Sequence, residues 1–533
     1  MGKQPRFKKE GKNPLPSTVP LKGKALQTVT TLKIFQEHIW DQKFVFIFGL
    51  GIFLYTCLRA HVISISHDEA LTYLLHVPKS IKNVLFDIEG LASNNHFLNT
   101  ILIKISVSLF GNTEFVLRIP ALMGHGIYLI AIWKILKLFS RDKRLILGFI
   151  LLSSNPFLID FFSCARGYSL GVGFSMLSLL YFFKRIRAEE DLEKTKFNYF
   201  TMIYATLSVF SNLSFANVFV SVICLLSIFE IRDNALWSQN TILLRGRLIF
   251  IRLILPLFFC LFALGIIYNP FMIDRIMLNV SGFGGKRGLW ADTAMSLLDY
   301  NLYGVNYYKS IFIWSFKIFI PSLLTTAIIL TVYVSVKKRT EAVHLYIPLM
   351  TLILFCMIIL IELQHVLFNI DYATDRAVIY LIPPFYILAL LSWEFLHKIN
   401  HKYITKPVGF ALSIFMGALI IHNILCFNIT HYFYWKYDAN TKDAMNLIYD
   451  MTGDENKIRN RYKIGVNWLF EPSTNYYISK KGMYWVNPTT REGPQGIYDF
   501  YYLAETNKEI VKQYSLKIVK LFSVANSTLA IPP

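Results

Sequence analysis

A chain in which one apolar stretch follows another, most of them near the ~20 residues that cross a hydrocarbon core, has few ways to fold. Inside a bilayer every backbone polar group must be satisfied within a helix or a closed barrel. The stretches here are continuous rather than alternating, which selects helices. They fall at 44–63, 115–138, 145–160, 168–183, 199–211, 213–230, 248–269, 312–335, 343–363, 376–396 and 407–427. The expectation is a mainly α, polytopic helical membrane protein of about eleven spans.

Charge sets the orientation. The formal net charge is +20 with only 17% charged residues among 533, and Lys and Arg concentrate between apolar stretches, where cytoplasmic loops carry them. The same distribution argues against nucleic acid, because no basic stripe with stacking aromatics stands outside the membrane pattern. The decisive segment is Phe97–Phe110, too short for a span and carrying Lys104. Taken as an interfacial helix, it leaves the basic run Ser140-Arg141-Asp142-Lys143-Arg144 inside. Lys184-Arg185-Ile186-Arg187, Arg245 with Arg247, Lys337-Lys338-Arg339 and Lys398, Lys402 and Lys406 then also fall inside. The N-terminus is therefore expected inside and the C-terminus outside.

Three domains are expected. Residues 1–43, basic and lacking the apolar core of a cleaved signal, form a cytoplasmic tail. Residues 44–430 form the membrane domain, with a first outer loop at 64–114. Residues 431–533 open on the aromatic belt Tyr432-Phe433-Tyr434-Trp435. They continue through short alternating runs at Tyr462–Trp468 and Lys517–Val524 and a helical stretch near Asp443–Asp450, giving a small extracytoplasmic α/β domain. The six cysteines lie in or beside apolar runs without paired spacing, which argues against a disulfide framework and a cysteine zinc site.

Ionisable residues beside hydrocarbon are costly, so their default explanation is a site. On the outer side they gather in four segments. The first loop carries His67, Asp68, Glu69 and the Asn94-Asn95-His96 cluster; the turn 160–168 carries Asp160, Arg166 and Tyr168. The turn 364–376 carries Asp371, Asp375 and Arg376. The long loop 270–310 holds Ser281-Gly282-Phe283-Gly284-Gly285-Lys286-Arg287-Gly288, whose glycines and paired cations suit a lid with an anion contact. A carboxylate base beside several cations suits displacement of a phosphate leaving group from a sugar, through a transition state of oxocarbenium character. Asp68 is the preferred base, with Glu69 expected to raise its proton affinity and Asp160 to assist. His96, Arg166, Tyr168, Lys286, Arg287 and Arg376 are the candidate donor-phosphate and substrate contacts.

The runs HDEALTY, SNNHFLNTILIK, FGNTEFVLRIPAL, FFSCARGYSL and DRAVIYLIPP resemble, in order across roughly 40–430, the GT-C membrane glycosyltransferases. This group includes the protein O-mannosyltransferase superfamily and bacterial aminoarabinose and galacturonosyl transferases. The resemblance implies a polyprenyl-phosphate-sugar donor, an inverting transfer on the non-cytoplasmic face of the cell membrane, and an acidic catalytic residue in the first outer loop, matched by Asp68. It requires no cofactor and leaves a divalent metal open. Where many relatives carry His-Pro-Pro or Glu-Lys-Pro, this chain has Asn94-Asn95-His96-Phe97, so the phosphate contact there is not carried over. The acceptor, whether glycan, glycolipid or protein, is not specified. A transporter or flippase of polyprenyl-linked glycans is the alternative; such folds favour repeats and ionisable groups at the midplane, whereas here these groups gather at one face.

Overall fold

The computed structural model describes residues 22–86, 94–237, 242–270, 272–274, 284–305, 309–337, 342–399, 405–453, 461–507 and 509–533. Residues 1–21 of the expected tail, Ser281–Phe283 of the glycine-rich loop, and Lys338, Arg339 and Lys402 lie outside these segments.

The protein is a multi-pass helical membrane protein with a small mixed sheet near its C-terminus. Helix α1 (Lys22–Val62) is followed by the short α2 (His67–Leu71), then α3 (Phe97–Phe110) and α4 (Glu114–Leu136). Next come α5 (Asp142–Ser153), α6 (Pro156–Phe162), α7 (Tyr168–Arg187), α8 (Asp191–Ser211) and α9 (Ala216–Trp237). After α10 (Leu255–Ile267) and α11 (Met295–Asn301), four long helices complete the bundle: α12 (Lys309–Lys337), α13 (Ala342–Phe368), α14 (Ile382–Ile399) and α15 (Thr405–Leu425).

Among the described residues, eight helices are long and apolar enough to cross a membrane, or nine if α5 and α6, bent by 62° against each other, make one span. The bend has a local cause: Ser154 breaks the helix, and Asn155 restarts it by accepting the Leu158 amide at 3.0 Å, with Pro156 at the first turn. Helices also occupy the two remaining expected positions, α7 and α8, but their polar content keeps them out of the apolar set. The α3 segment is a short apolar helix of 14 residues. Its Lys104 is explained by capture rather than by lipid, since the ammonium donates to the Val77 and Lys79 carbonyls at 2.7 and 2.8 Å.

Residues after α15 build α16 (Thr441–Thr452), β1 (Ile464–Val466), α17 (Glu471–Lys480), β2 (Phe500–Leu503), β3 (Lys517–Phe522) and β4 (Ser527–Ile531). The sheet order is β1-β2-β4-β3, with β1 parallel to β2 and the other pairs antiparallel. This unit shares a core with the first loop: Ile65, Ala70 and Ile103 belong to one buried cluster with Met445, Phe470 and Tyr476. Burial of that size, at roughly 25 cal/mol per Å² of apolar surface, fixes the loop against the C-terminal unit.

Candidate functional site

The site is assembled at the start of α2. Ser66 and Glu69 form a capping box, with Glu69 Oε2 accepting the Ser66 amide at 2.9 Å. Glu69 is then consumed entirely. Its carboxylate also accepts the Ala165 amide at 2.6 Å and pairs with Arg118 at 2.8 Å, both side chains fully buried. Arg118 in turn donates to the Ala60, Ile63 and Ser64 carbonyls. Burial alone would raise the Glu69 pKa, but Arg118 outweighs it and holds the group below the usual carboxylate range.

One residue earlier the surroundings reverse. Asp68 keeps 14% of its side chain exposed and faces two guanidiniums at looser distances, Arg376 at 3.4 Å and Arg166 at 3.7 Å. The Trp435 indole is within hydrogen-bonding reach. Burial raises its pKa, yet Arg376 and then Arg166 prevail and leave it lowered. The expectation that Glu69 raises the proton affinity of Asp68 is therefore corrected: Arg118 neutralises Glu69, and the neighbours that act on Asp68 are cations.

Each cation is held from outside the pair. Arg166 Nη1 donates to Thr72 Oγ1 and the Asn94 carbonyl, both at 3.1 Å, and closely to Asn94 Oδ1. The Asn94-Asn95-His96 cluster thus folds back onto α2. Gly167 allows this approach, because a Cβ there would stand 1.8 Å from the Ser211 carbonyl and 2.8 Å from the His96 Cβ. Arg376 lies over the Tyr434 ring at 4.3 Å and Trp435 at 5.5 Å. The chain reaches Arg376 through Asp375 at φ +54°, a left-handed conformation that aspartate tolerates better than most residues. That turn is braced by the long loop, for Thr293 donates to the Ala373 carbonyl at 2.7 Å and the Asp375 amide to Ser296 at 2.9 Å. Gly285 and Tyr372 exchange backbone hydrogen bonds at 3.0 and 2.8 Å.

Both guanidiniums facing Asp68 keep a buried nitrogen without a hydrogen bond, Arg166 Nε and Arg376 Nη1, and so does the His96 ring, at Nε2. Each is a costly omission of ~1–3 kcal/mol in an ordinary interior. Burial, followed by Arg166 and Arg376, drives the His96 pKa well down, so its ring is neutral near pH 7. Tyr168 closes this side, its ring edge-on to His96 with centroids 5.2 Å apart.

The other predicted residues stand elsewhere. Asp160 lies at the junction of α6 with the chain after α15: it pairs closely with Arg59, accepts Tyr303 Oη at 2.8 and 3.0 Å, and accepts the Phe433 amide at 2.7 Å. Its side chain is 3% exposed, which corrects its expected place beside the reacting atoms. Arg287, expected in an anion clamp, is bound instead to Asp292 at 2.8–2.9 Å, with 77% of its side chain in solvent. Lys286 is exposed, and among the described residues neither cation contacts Asp68. No three His, Cys, Asp or Glu side chains converge as a metal-ligand set among the described residues. A carboxylate facing two guanidiniums does not fit a divalent ion.

Two contributions escaped the sequence reading. Tyr434 and Trp435 were expected as a membrane-interface belt, yet they carry Arg376 and reach Asp68. Asp438, fully buried, accepts the His67 amide at 2.7 Å together with Ser473 at 2.7 Å and Thr441 at 3.2 Å. Burial pushes its pKa up to about 8. The S-x-x-E spacing of Ser66 and Glu69 is a capping-box signature that could have marked Glu69 as a helix cap.

Fold and site together define a multi-pass helical membrane protein with a carboxylate between two arginines at one end of its bundle. No family model matches the chain, and no curated protein matches it. Among solved structures it is similar to ArnT from Cupriavidus metallidurans bound to undecaprenyl phosphate, with a TM-score of 0.46 and 9% identity over 92% of this chain and 97% of that one. The apo state of the same protein gives 0.43 and 10% over the same shares. The Archaeoglobus fulgidus oligosaccharyltransferase in complex with zinc and sulfate gives 0.39 and 13%, over 87% of this chain and 69% of that one. At these scores the likenesses assign no chemistry to this chain.

Proposed function

We propose that the protein is a glycosyltransferase of the cell membrane that moves a sugar from a polyprenyl-phosphate donor to an acceptor hydroxyl or amine on the extracytoplasmic face, with inversion. The observation that carries this reading is that both guanidiniums facing the partly open Asp68 keep a buried nitrogen without a hydrogen bond, Arg166 Nε and Arg376 Nη1. Two guanidiniums that contact a carboxylate only at 3.4 and 3.7 Å keep donors for a second anion, and phosphate is the anion their fork geometry suits.

In the reaction, the bond from the sugar anomeric carbon to the phosphate oxygen breaks and its electron pair leaves with the polyprenyl phosphate. Arg166 and Arg376 stabilise the added negative charge. The acceptor oxygen or nitrogen attacks from the opposite face of the sugar, and its proton passes to Asp68. Glu69 and Asp160 are positioning residues. Glu69 fixes α2 against Arg118, while Asp160 holds the chain just before Tyr434 and Trp435. The isoprene units nearest the phosphate suit the apolar cavity of about 200 Å³ lined by Trp290, Leu297, Leu324, Leu381 and Phe385, along the segment that continues from Arg376 into α14.

The test uses the purified protein in nanodiscs. Polyprenyl phosphate is expected to raise the unfolding temperature where uncharged polyprenol does not, and Arg376→Ala to abolish that difference. Equal stabilisation by phosphate and alcohol would contradict the reading.

A further inference from the structure

Consecutive residues of a helix project about 100° apart, and α2 uses that divergence to give neighbouring side chains different walls. Asp68 turns to Arg166 and Arg376, whereas His67 turns to the C-terminal unit. His67 Nδ1 lies 2.8 Å from the Leu469 carbonyl, and its ring meets Trp468 edge-on with centroids 6.0 Å apart.

The turn bearing Trp468 is rigid. It follows β1 directly; Asn467 Oδ1 accepts the Leu469 amide at 3.0 Å, and Asn467 Nδ2 donates to Asn507 at 2.7 Å. Despite that support Trp468 is 51% exposed. Next to it stand Glu471 and Arg491, paired at 3.2 Å, with half of the Arg491 side chain in solvent. Asn475 orients Glu471 at 2.8 Å. Both charges act on His67, Arg491 lowering its pKa and Glu471 raising it, after the larger lowering by burial and a raising contribution from Asp68.

A fixed, half-exposed indole beside a paired carboxylate and guanidinium is the complement of a pyranose. The apolar C–H face of the sugar covers the ring, and its hydroxyls exchange hydrogen bonds with the charged pair. An extended peptide has a less suitable partner here. The sheet has edges at β1 and β3: β1, which leads to Trp468, is buried throughout, and the exposed edge strand, β3, is at the opposite end.

We infer that Trp468, Arg491 and Glu471 form an acceptor subsite and that the acceptor presents a sugar ring to it, its nucleophile reaching Asp68 from the His67 side. This rests on the transferase reading above and names the acceptor as carbohydrate-bearing. The test is saturation-transfer NMR on the full chain in nanodiscs, with methyl glycosides of glucose, N-acetylglucosamine, mannose and galactose as probes and Ser/Thr-containing hexapeptides as the competing class. Trp468→Ala and Trp468→Phe are compared with the wild type, and stabilisation by undecaprenyl phosphate is followed in parallel as the fold and donor-site control.

The expected result is glycoside signal in the wild type and in Trp468→Phe, reduced roughly 10-fold in Trp468→Ala, with undecaprenyl phosphate stabilisation intact in all three. Undiminished glycoside signal in Trp468→Ala, no glycoside signal in the wild type, or a Trp468-dependent signal from the peptides instead would each overturn the subsite. Absence of undecaprenyl phosphate stabilisation in the wild type would take down the transferase reading itself, a failure visible separately from the glycoside result.

Discussion

Asp68 and Asp160 each sit at the end of an apolar segment and each face arginine, but their surroundings have opposite logic. Around Asp160 the pairing is complete: Arg59, Tyr303 and the Phe433 amide occupy the carboxylate, and only 3% of the side chain is exposed. Around Asp68 the arginines stand off at 3.4 and 3.7 Å, 14% of the carboxylate is open, and nearby nitrogens have no hydrogen bond. A tight, fully satisfied pair cements a junction; a loose one beside unsatisfied donors has capacity left for a ligand. Residue type and sequence position do not distinguish the two cases, whereas saturation of the hydrogen-bonding groups does.

The largest effect is expected at the junction. Asp160→Asn leaves the buried Arg59 charge without its carboxylate, so unfolding in detergent should show a loss of ~3–5 kcal/mol. Replacing both partners, as Arg59→Met with Asp160→Leu, should recover part of that loss. Wild-type stability together with abolished transfer in Asp160→Asn would move the reacting carboxylate to the second segment.

A smaller effect is expected at the proposed phosphate contact. Arg376→Ala should weaken polyprenyl phosphate binding by ~1.5–3 kcal/mol, the range for a hydrogen bond to a charged group, while polyprenol binding stays level in the same titration. Unchanged phosphate affinity would remove Arg376 from the cradle.

Titration sharpens the contrast further. Arg376 and Arg166 hold the Asp68 pKa below its usual value in the free protein, and in the proposed reaction an ionised Asp68 is the active form, so activity should be lost as pH falls through that pKa. Donor phosphate adds negative charge and draws on the same cations, which raises the Asp68 pKa in the complex. The acid limb of kcat should therefore lie at higher pH than the acid limb of kcat/KM; coincident limbs, or the reverse order, would contradict this coupling. The smallest effect belongs to the long loop: Lys286→Ala with Arg287→Ala should change donor affinity by no more than ~0.5 kcal/mol, because Arg287 is solvated and bound to Asp292.

The membrane class was legible in the sequence because hydropathy and positive charge report the bilayer directly. Phe97–Phe110 was recognisable as a short helix for the same reason, and Lys104 found backbone carbonyls rather than water. The site was legible only in part. Asp68, Arg166, His96 and Arg376 were named, yet Glu69, Asp160 and Arg287 carried the same signal and have other partners. Which charges neutralise one another depends on contacts such as Arg118 with Glu69, 49 residues apart. Tyr434, Trp435 and Asp438 were beyond reach because they meet Arg376 and α2 through contacts between segments far apart in the chain.

Asp68 is proposed to do the chemistry while its arginines bind phosphate, and Asp68→Asn in nanodiscs separates the two roles. The substitution keeps the side chain's size and removes the charge competing for Arg166 and Arg376. Binding of the polyprenyl phosphate should stay equal or tighten, and sugar transfer from the polyprenyl-phosphate donor should fall by roughly 10² or more. Wild-type turnover in Asp68→Asn, or loss of phosphate binding along with transfer, would contradict the account.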